Sequence, residues 1–197
     1  MPREPIELWF EFASTYSYLG VTRAGQLSVP IRYRSFLLGP VFAAQGMQDS
    51  PFNLFPVKGR YMWHDLERCC AELGVPFQRP SVFPRGSLLA ARIALANEDQ
   101  PWVGDFCRRV YRANFGEDRD IGSPEVVAEI LIDLKLDPRA LRAQAESPET
   151  KQALRDRTEL AISLGIFGAP TWRVGEELFW GSDRVDQAVR FWQRQRS

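Results

Sequence analysis

The chain has little with which to build a redox or metal centre. Its 197 residues hold three cysteines and one histidine. Cys69 and Cys70 are adjacent and Cys107 stands alone, so there is no C-x-x-C pair and no metal-ligand spacing. A Ser-His-Asp triad would have to use His64, which lies in YMWHDLER on an amphipathic helix and reads as a surface residue. Charge of neither sign is in excess. The 25 basic residues balance 25 acidic ones, which implies no nucleic-acid partner and no attraction to an anionic membrane. No stretch approaches the ~20 apolar residues of a membrane span. The opening MPREPIELWF has neither the apolar run nor the cleavage site of a signal peptide. With so little cysteine, a reducing, cytoplasmic setting is expected. Internal repeats and low-complexity segments are also missing.

What is present is ordinary globular composition, 45% hydrophobic and 25% charged. It suffices to bury a sizeable core in one domain, or one domain with a large insertion. Ile6, Leu8, Phe10 and Phe12 alternate with Glu7, Trp9 and Glu11, a period of two that predicts a strand. Tyr16 to Leu27 predicts a helix despite Gly20 and Gly25, each costing about 1 kcal/mol against alanine. PIRYRSFLL is a second strand, so the start is a βαβ unit with parallel strands. Gly39 to Pro56 reads as a long Gly/Pro-rich loop, a length usually kept for function.

Helices follow. Lys58 to Leu73 stops at Gly74, a C-cap glycine, and SLLAARIALANE and PWVGDFCRRVYRANFG come next. Ser123-Pro124, Asp137-Pro138 and Ser147-Pro148 each set a cap residue before a proline, marking three more helix starts. APTWRV, GEE and LFW form a hairpin, and GSDRVDQAVRFWQRQ is a closing helix capped by Ser182 or Asp183. The expected fold is α/β: a thioredoxin-like sheet from residues 1–40 and 147–197, carrying a helical insertion over 41–146.

Three stretches carry chemistry. Ser14 stands at the first strand–helix turn, where free N–H groups and the positive end of a helix dipole favour anions and thiolates. In a sheet of this kind that turn holds the redox pair C-x-x-C. Here Ser14-x-x-Ser17 replaces it, which excludes a dithiol oxidoreductase at that position. Read alone, Ser14 is also a plain N-cap. Pro170 in GAPT opens a strand, either as an ordinary strand start or as a cis peptide after Ala169 that exposes the Ala169 backbone to an extended thiol peptide. Ser182 and Asp183 in LFWGSDR begin another helix, as caps or as ligands. Cys69 and Cys70 have core spacing on their helix, and RRVYR reads as a solvated face.

Taken together, FEFASTYSYLG, PFNLFPVKGRYMWHDLERCCAELGVPF, GIFGAPTW and ELFWGSDRVD resemble the 2-hydroxychromene-2-carboxylate isomerases and the related kappa-class glutathione transferases, within the DsbA-like thioredoxin superfamily. The resemblance covers nearly the whole chain. It implies glutathione as cofactor, with Ser14 bonding its sulfur and Ala169, before a cis Pro170, pairing with its cysteinyl backbone. Trp180, Gly181, Ser182 and Asp183 match the segment that holds the γ-glutamyl end, Asp183 on the ammonium and Ser182 on the carboxylate. Asn53 and Lys58 match positions lining the active site, and Lys58, Arg60 or Tyr61 could meet a substrate carboxylate. Thr15 stands where the family often has proline, and Ser182 where it often has asparagine.

The resemblance further implies a homodimer and a small aromatic-derived carboxylate as substrate, with no metal. Serine without a neighbouring base is a poor nucleophile, so Ser14 is expected to activate the thiol of glutathione. An isomerase would regenerate glutathione, a kappa-like transferase or peroxidase would consume it, and a thioredoxin-like binding module would show no turnover.

Overall fold

The first strand enters a layered α/β structure, seen here in a computed structural model that describes residues 4–195. Strand β1 (Ile6–Phe10), helix α1 (Thr15–Ala24) and strand β2 (Ile31–Ser35) form the expected βαβ unit, with Ile6 opposite Ile31 and Phe10 opposite Ser35 in parallel register. Helices α2 (Leu38–Ala44), α3 (Pro51–Leu54), α4 (Pro56–Leu73), α5 (Leu88–Ala96) and α6 (Val103–Gly116) follow. Then come α7 (Pro124–Asp133), α8 (Pro138–Glu146) and α9 (Pro148–Ser163). The chain returns through β3 (Thr171–Val174) and β4 (Glu177–Trp180), makes a 3-10 turn at Ser182–Arg184 and closes with α10 (Val185–Arg194). The sheet order is β2-β1-β3-β4, with β3 antiparallel to both its neighbours. Residues 1–3 and 196–197 of the expected terminal segments lie outside the described residues.

The cap-before-proline pairs start their helices as expected. Ser123, Asp137 and Ser147 each accept backbone N–H bonds from the first turn while proline fills its first position. Gly74 (φ +67°) ends α4, the left-handed conformation that glycine adopts without strain.

Four features go beyond or against the expected elements. First, the alternating strand is there but has no polar face, because the sheet is covered on both sides. Ile6, Leu8 and Phe10 pack into the main core, while Trp9, 1% exposed, packs with Phe36, Val41, Ala161 and Ile166 on the other face. Glu7 survives there because Arg34 and Arg173 bind its carboxylate at 2.8 and 2.9 Å. Burial raises its pKa, but the two guanidiniums more than reverse that and hold it below the ordinary value. Secondly, the loop from Gly39 to Pro56 is not structureless: it contains α3 and nearly all of α2. Thirdly, α1 ends at Ala24 rather than Leu27, with Gly25 bonding back to Val21. Lastly, neither Ser182 nor Asp183 caps the closing helix by a side-chain bond.

One glycine decides how α1 meets the sheet. A Cβ on Gly20 would lie 3.0 Å from both Cβ and Cγ of Pro170, so α1 rests directly on the proline that opens β3. Gly20→Val should therefore lower stability by about 1–3 kcal/mol through overpacking, although valine is the better helix former. A urea midpoint equal to that of the parent would show that α1 can move off Pro170 without cost.

Candidate active site

β1 ends at Phe10, and the chain bends so that the Ser14 N–H donates to the Glu11 carbonyl at 2.9 Å. Ser14 is the N-cap of α1, and its hydroxyl oxygen accepts from the Ser17 N–H at 3.3 Å. The same hydroxyl donates to the Ala169 carbonyl at 3.1 Å, across 155 residues of sequence. The first turn of α1 carries no acidic side chain, so nothing on the helix offsets the positive end of its dipole. Thr15 is buried and donates to the Met62 sulfur at 3.1 Å, tying α1 to α4 from the first helical position.

The Ala169–Pro170 peptide is cis. The Gly181 N–H donates to the Pro170 carbonyl at 2.9 Å, and the Trp172 indole donates to the Gly181 carbonyl at 3.1 Å. Gly168 must be small, since a Cβ there would stand 2.6 Å from the Trp180 indole nitrogen. Arg23 holds the next segment to α1, bonding the Ser182 carbonyl at 3.3 Å and both oxygens of Asp186. Asp183 is left exposed, with Arg184 at 3.6 Å. Its charge reaches Cys69 on α4, whose thiol is pushed up by burial first and then by Asp65, Glu72 and Asp183.

Ser14 and Ala169 sit on a cavity of about 660 Å³, a size ordinary for small-molecule sites. Its wall is largely apolar and aromatic, with Phe42, Phe52, Phe55, Phe83, Phe167 and Trp180 all contributing. Lys58 is the one Lys or Arg among its lining residues, and its ammonium lies 5.5 Å from the centre of the Phe55 ring. Tyr61 lines the cavity as well, whereas Asn53 lies outside it and donates its amide to Asp49. Pro170, Gly181, Ser182 and Asp183 lie behind or beyond the lining. Of the proposed residues, Ser14, Ala169, Trp180, Lys58 and Tyr61 thus line the cavity, whereas Asn53, Pro170 and the Gly181–Asp183 segment do not.

Two polar residues next to the turn are buried. The Ser17 hydroxyl does not bond its own backbone. It is fully buried, has no hydrogen bond of normal geometry, and lies beside the Tyr111 phenol. Glu11, given no role in the sequence, is 7% exposed and lines the cavity. Tyr16 was also missed; it lines the cavity and donates to Asp65 at 2.9 Å. Nothing in the run FEFA marks Glu11 in the sequence, since an acid between two inward-facing aromatics of a strand ordinarily faces water. His64 is exposed, Cys70 and Cys107 are buried and Cys69 half-buried. Among the described residues no group of three His, Cys, Asp or Glu could hold a metal, and no helix is long and apolar enough to cross a membrane.

A β2-β1-β3-β4 sheet in which a helix N-terminus faces a cis-proline turn defines a protein of the thioredoxin fold. Residues 5–192 match the DSBA-like thioredoxin domain, and the chain belongs to that family. It is 28% identical over 207 residues to glutathione S-transferase kappa 2 of Caenorhabditis elegans, covering 96% of this chain and 92% of that one. It is also 28% identical over 185 residues to 2-hydroxychromene-2-carboxylate isomerase of Sphingobium xenophagum, covering 92% and 94%. A solved 2-hydroxychromene-2-carboxylate isomerase superposes with a TM-score of 0.80 at 26% identity, covering 96% of this chain and 94% of its own. The resemblance drawn from the motifs is borne out.

The Ser17 hydroxyl gives a direct check on this geometry. Ser17→Ala removes a buried hydroxyl whose contact with the Tyr111 phenol falls short of normal hydrogen-bond geometry, and installs a better helix former, so stability should hold or rise by up to about 1 kcal/mol. A loss of about 2 kcal/mol on chemical denaturation would mean that Ser17 makes a strong bond which the geometry lacks.

Proposed function

We propose that the protein is a glutathione-dependent isomerase of 2-hydroxychromene-2-carboxylate type. The observation that carries the reading is the Ser14 hydroxyl at an uncompensated helix N-terminus, 3.1 Å from the carbonyl that precedes a cis-proline and on the edge of an aromatic cavity. The relatives named above support it.

The donor set suits glutathione. A hydroxyl and a helix dipole complement a thiolate, the Ala169 backbone complements an extended peptide, and the exposed Asp183 carboxylate complements an ammonium. When bound, glutathione supplies the sulfur that adds reversibly to the substrate and leaves again. Ser14 and the α1 dipole stabilise the anionic sulfur, by about 1.5–3 and 0.3–1 kcal/mol respectively. The Ser14 hydrogen is engaged by the Ala169 carbonyl, so a peptide N–H that takes up that carbonyl releases the hydroxyl for the sulfur. Lys58 meets the carboxylate of the second substrate, and the aromatic wall takes its ring. A cytoplasmic homodimer belongs to the same reading. The kappa-class relative supports a second reading, in which glutathione is consumed; the amount of free thiol left after many turnovers separates the two.

Glutathione at about 100 times its dissociation constant should raise the melting temperature by about 5–10 °C. Asp183 caps no helix, so Asp183→Asn should leave the melting of the protein alone unchanged while weakening glutathione about tenfold or more. A melting curve unmoved by millimolar glutathione would overturn the reading, and an affinity unchanged in Asp183→Asn would remove Asp183 from the site.

A further inference from the structure

The mechanism above leaves one buried ionisable group on the cavity without a task. Glu11 follows the end of β1, three residues before Ser14. One carboxylate oxygen, Oε1, accepts from the Ala13 N–H at 3.1 Å and from the Ser87 hydroxyl. The other, Oε2, has no hydrogen bond among the described residues and is not sealed off by protein. Tyr111 of α6 fixes the backbone at this point, its phenol donating to the Glu11 carbonyl at 2.7 Å. The carboxyl is therefore pinned by one oxygen and bare at the other, in the lining of a largely apolar cavity.

We propose that Glu11 is the proton carrier for the second substrate, a cyclic hemiketal acid whose ring oxygen is attached to an aromatic carbon. The proposal rests on the isomerase reading. In its acid form Glu11 gives its Oε2 proton to the ring oxygen as the bond from that oxygen to the hemiketal carbon breaks. The bonding pair stays on the oxygen, which becomes a phenol. The carboxylate then takes the hemiketal hydroxyl proton as that O–H pair becomes the carbonyl π bond. Glu11 ends as it began, and no oxidant, reductant or further reactant is needed.

The surroundings suit an acid that starts protonated. Burial pushes the Glu11 carboxyl up, and the bonds from Ser87 and Ala13 only partly offset it. The groups facing it are the Ser87 hydroxyl and the Tyr111 phenol. Tyr16, Asp49, Lys58 and Tyr61 line the same cavity, the last three exposed at its rim. Arg85, close in sequence to Ser87, spends its guanidinium on Asp118, Asn114, Ser81 and the Arg119 carbonyl.

Glu11→Gln tests the proposal, because glutamine keeps the shape and the Oε1 contacts and still offers a hydrogen-bond donor, but cannot deliver a proton. Turnover of a chromene hemiketal acid should fall about a hundredfold or more, with melting temperature and glutathione affinity unchanged. The high-pH decline in the parent's turnover, where the acid form is lost, should vanish in the variant. A second readout needs no turnover. The infrared carboxyl band of Glu11, identified by its loss in Glu11→Gln or its displacement in Glu11→Asp, should shift when an ortho-hydroxyaryl α-keto acid binds with S-methylglutathione. Full turnover in Glu11→Gln, or a carboxyl band that does not move, would overturn the proposal. A parent protein with no turnover would overturn the isomerase reading instead, and the infrared band then decides the Glu11 contact by itself.

Discussion

Everything at the site depends on how closely α1 approaches the proline that opens β3. Because residue 20 has no side chain, the helix lies directly on Pro170, and the Ser14 hydroxyl reaches the Ala169 carbonyl. The same turn anchors the next strand, through the Gly181 N–H on Pro170 and the Trp172 indole on Gly181. Arg23 closes the arrangement by binding Ser182 and Asp186 from the far end of α1. A displacement of α1 would thus disturb the Ser14 hydroxyl, the Ala169 backbone and the segment bearing Asp183 together.

The cavity joins two kinds of surface. The sheet side, around Ser14 and Ala169, offers backbone groups and a hydroxyl, which suit a ligand of fixed chemistry. The other side comes from α2, α3, α4 and the Phe83–Pro84 turn, and it is aromatic with Lys58 on its rim. In the proposed reaction this division would put thiol activation on the sheet side and recognition of the second substrate on the helices facing it. Within the proposed reaction the charges are spread accordingly: a cation at the mouth, an anion-stabilising helix end at the side and a buried carboxyl in the lining.

Much of this was legible in the sequence where one residue type has one strong local effect. Serine or aspartate before proline located three helix starts, Gly74 located a helix end, and GEE located the hairpin. The motifs around Ser14, Pro170 and Asp183 foretold the family. Properties set by distant packing were hidden. Alternation alone could not show that Trp9 is covered by residues of α2 and α9, or that Glu11 is buried against Ser87 and Tyr111. Ser182 and Asp183 looked like caps, yet the 3-10 turn before α10 leaves both side chains unused for capping. Helices α2 and α3 were masked by their glycine and proline, and the Ser17 hydroxyl by its burial beside Tyr111.

The central claim is that Ser14 lowers the pKa of a thiol the protein does not own. It is tested most directly by titrating the ultraviolet thiolate absorbance of bound glutathione in the parent protein and in Ser14→Ala. A free thiol of this kind titrates near ~8.5. The account predicts a bound value near or below ~7 in the parent, returning at least one unit toward the free value in Ser14→Ala while glutathione stays bound. A bound thiol that titrates like free glutathione in the parent protein, or equally low in Ser14→Ala, would contradict it.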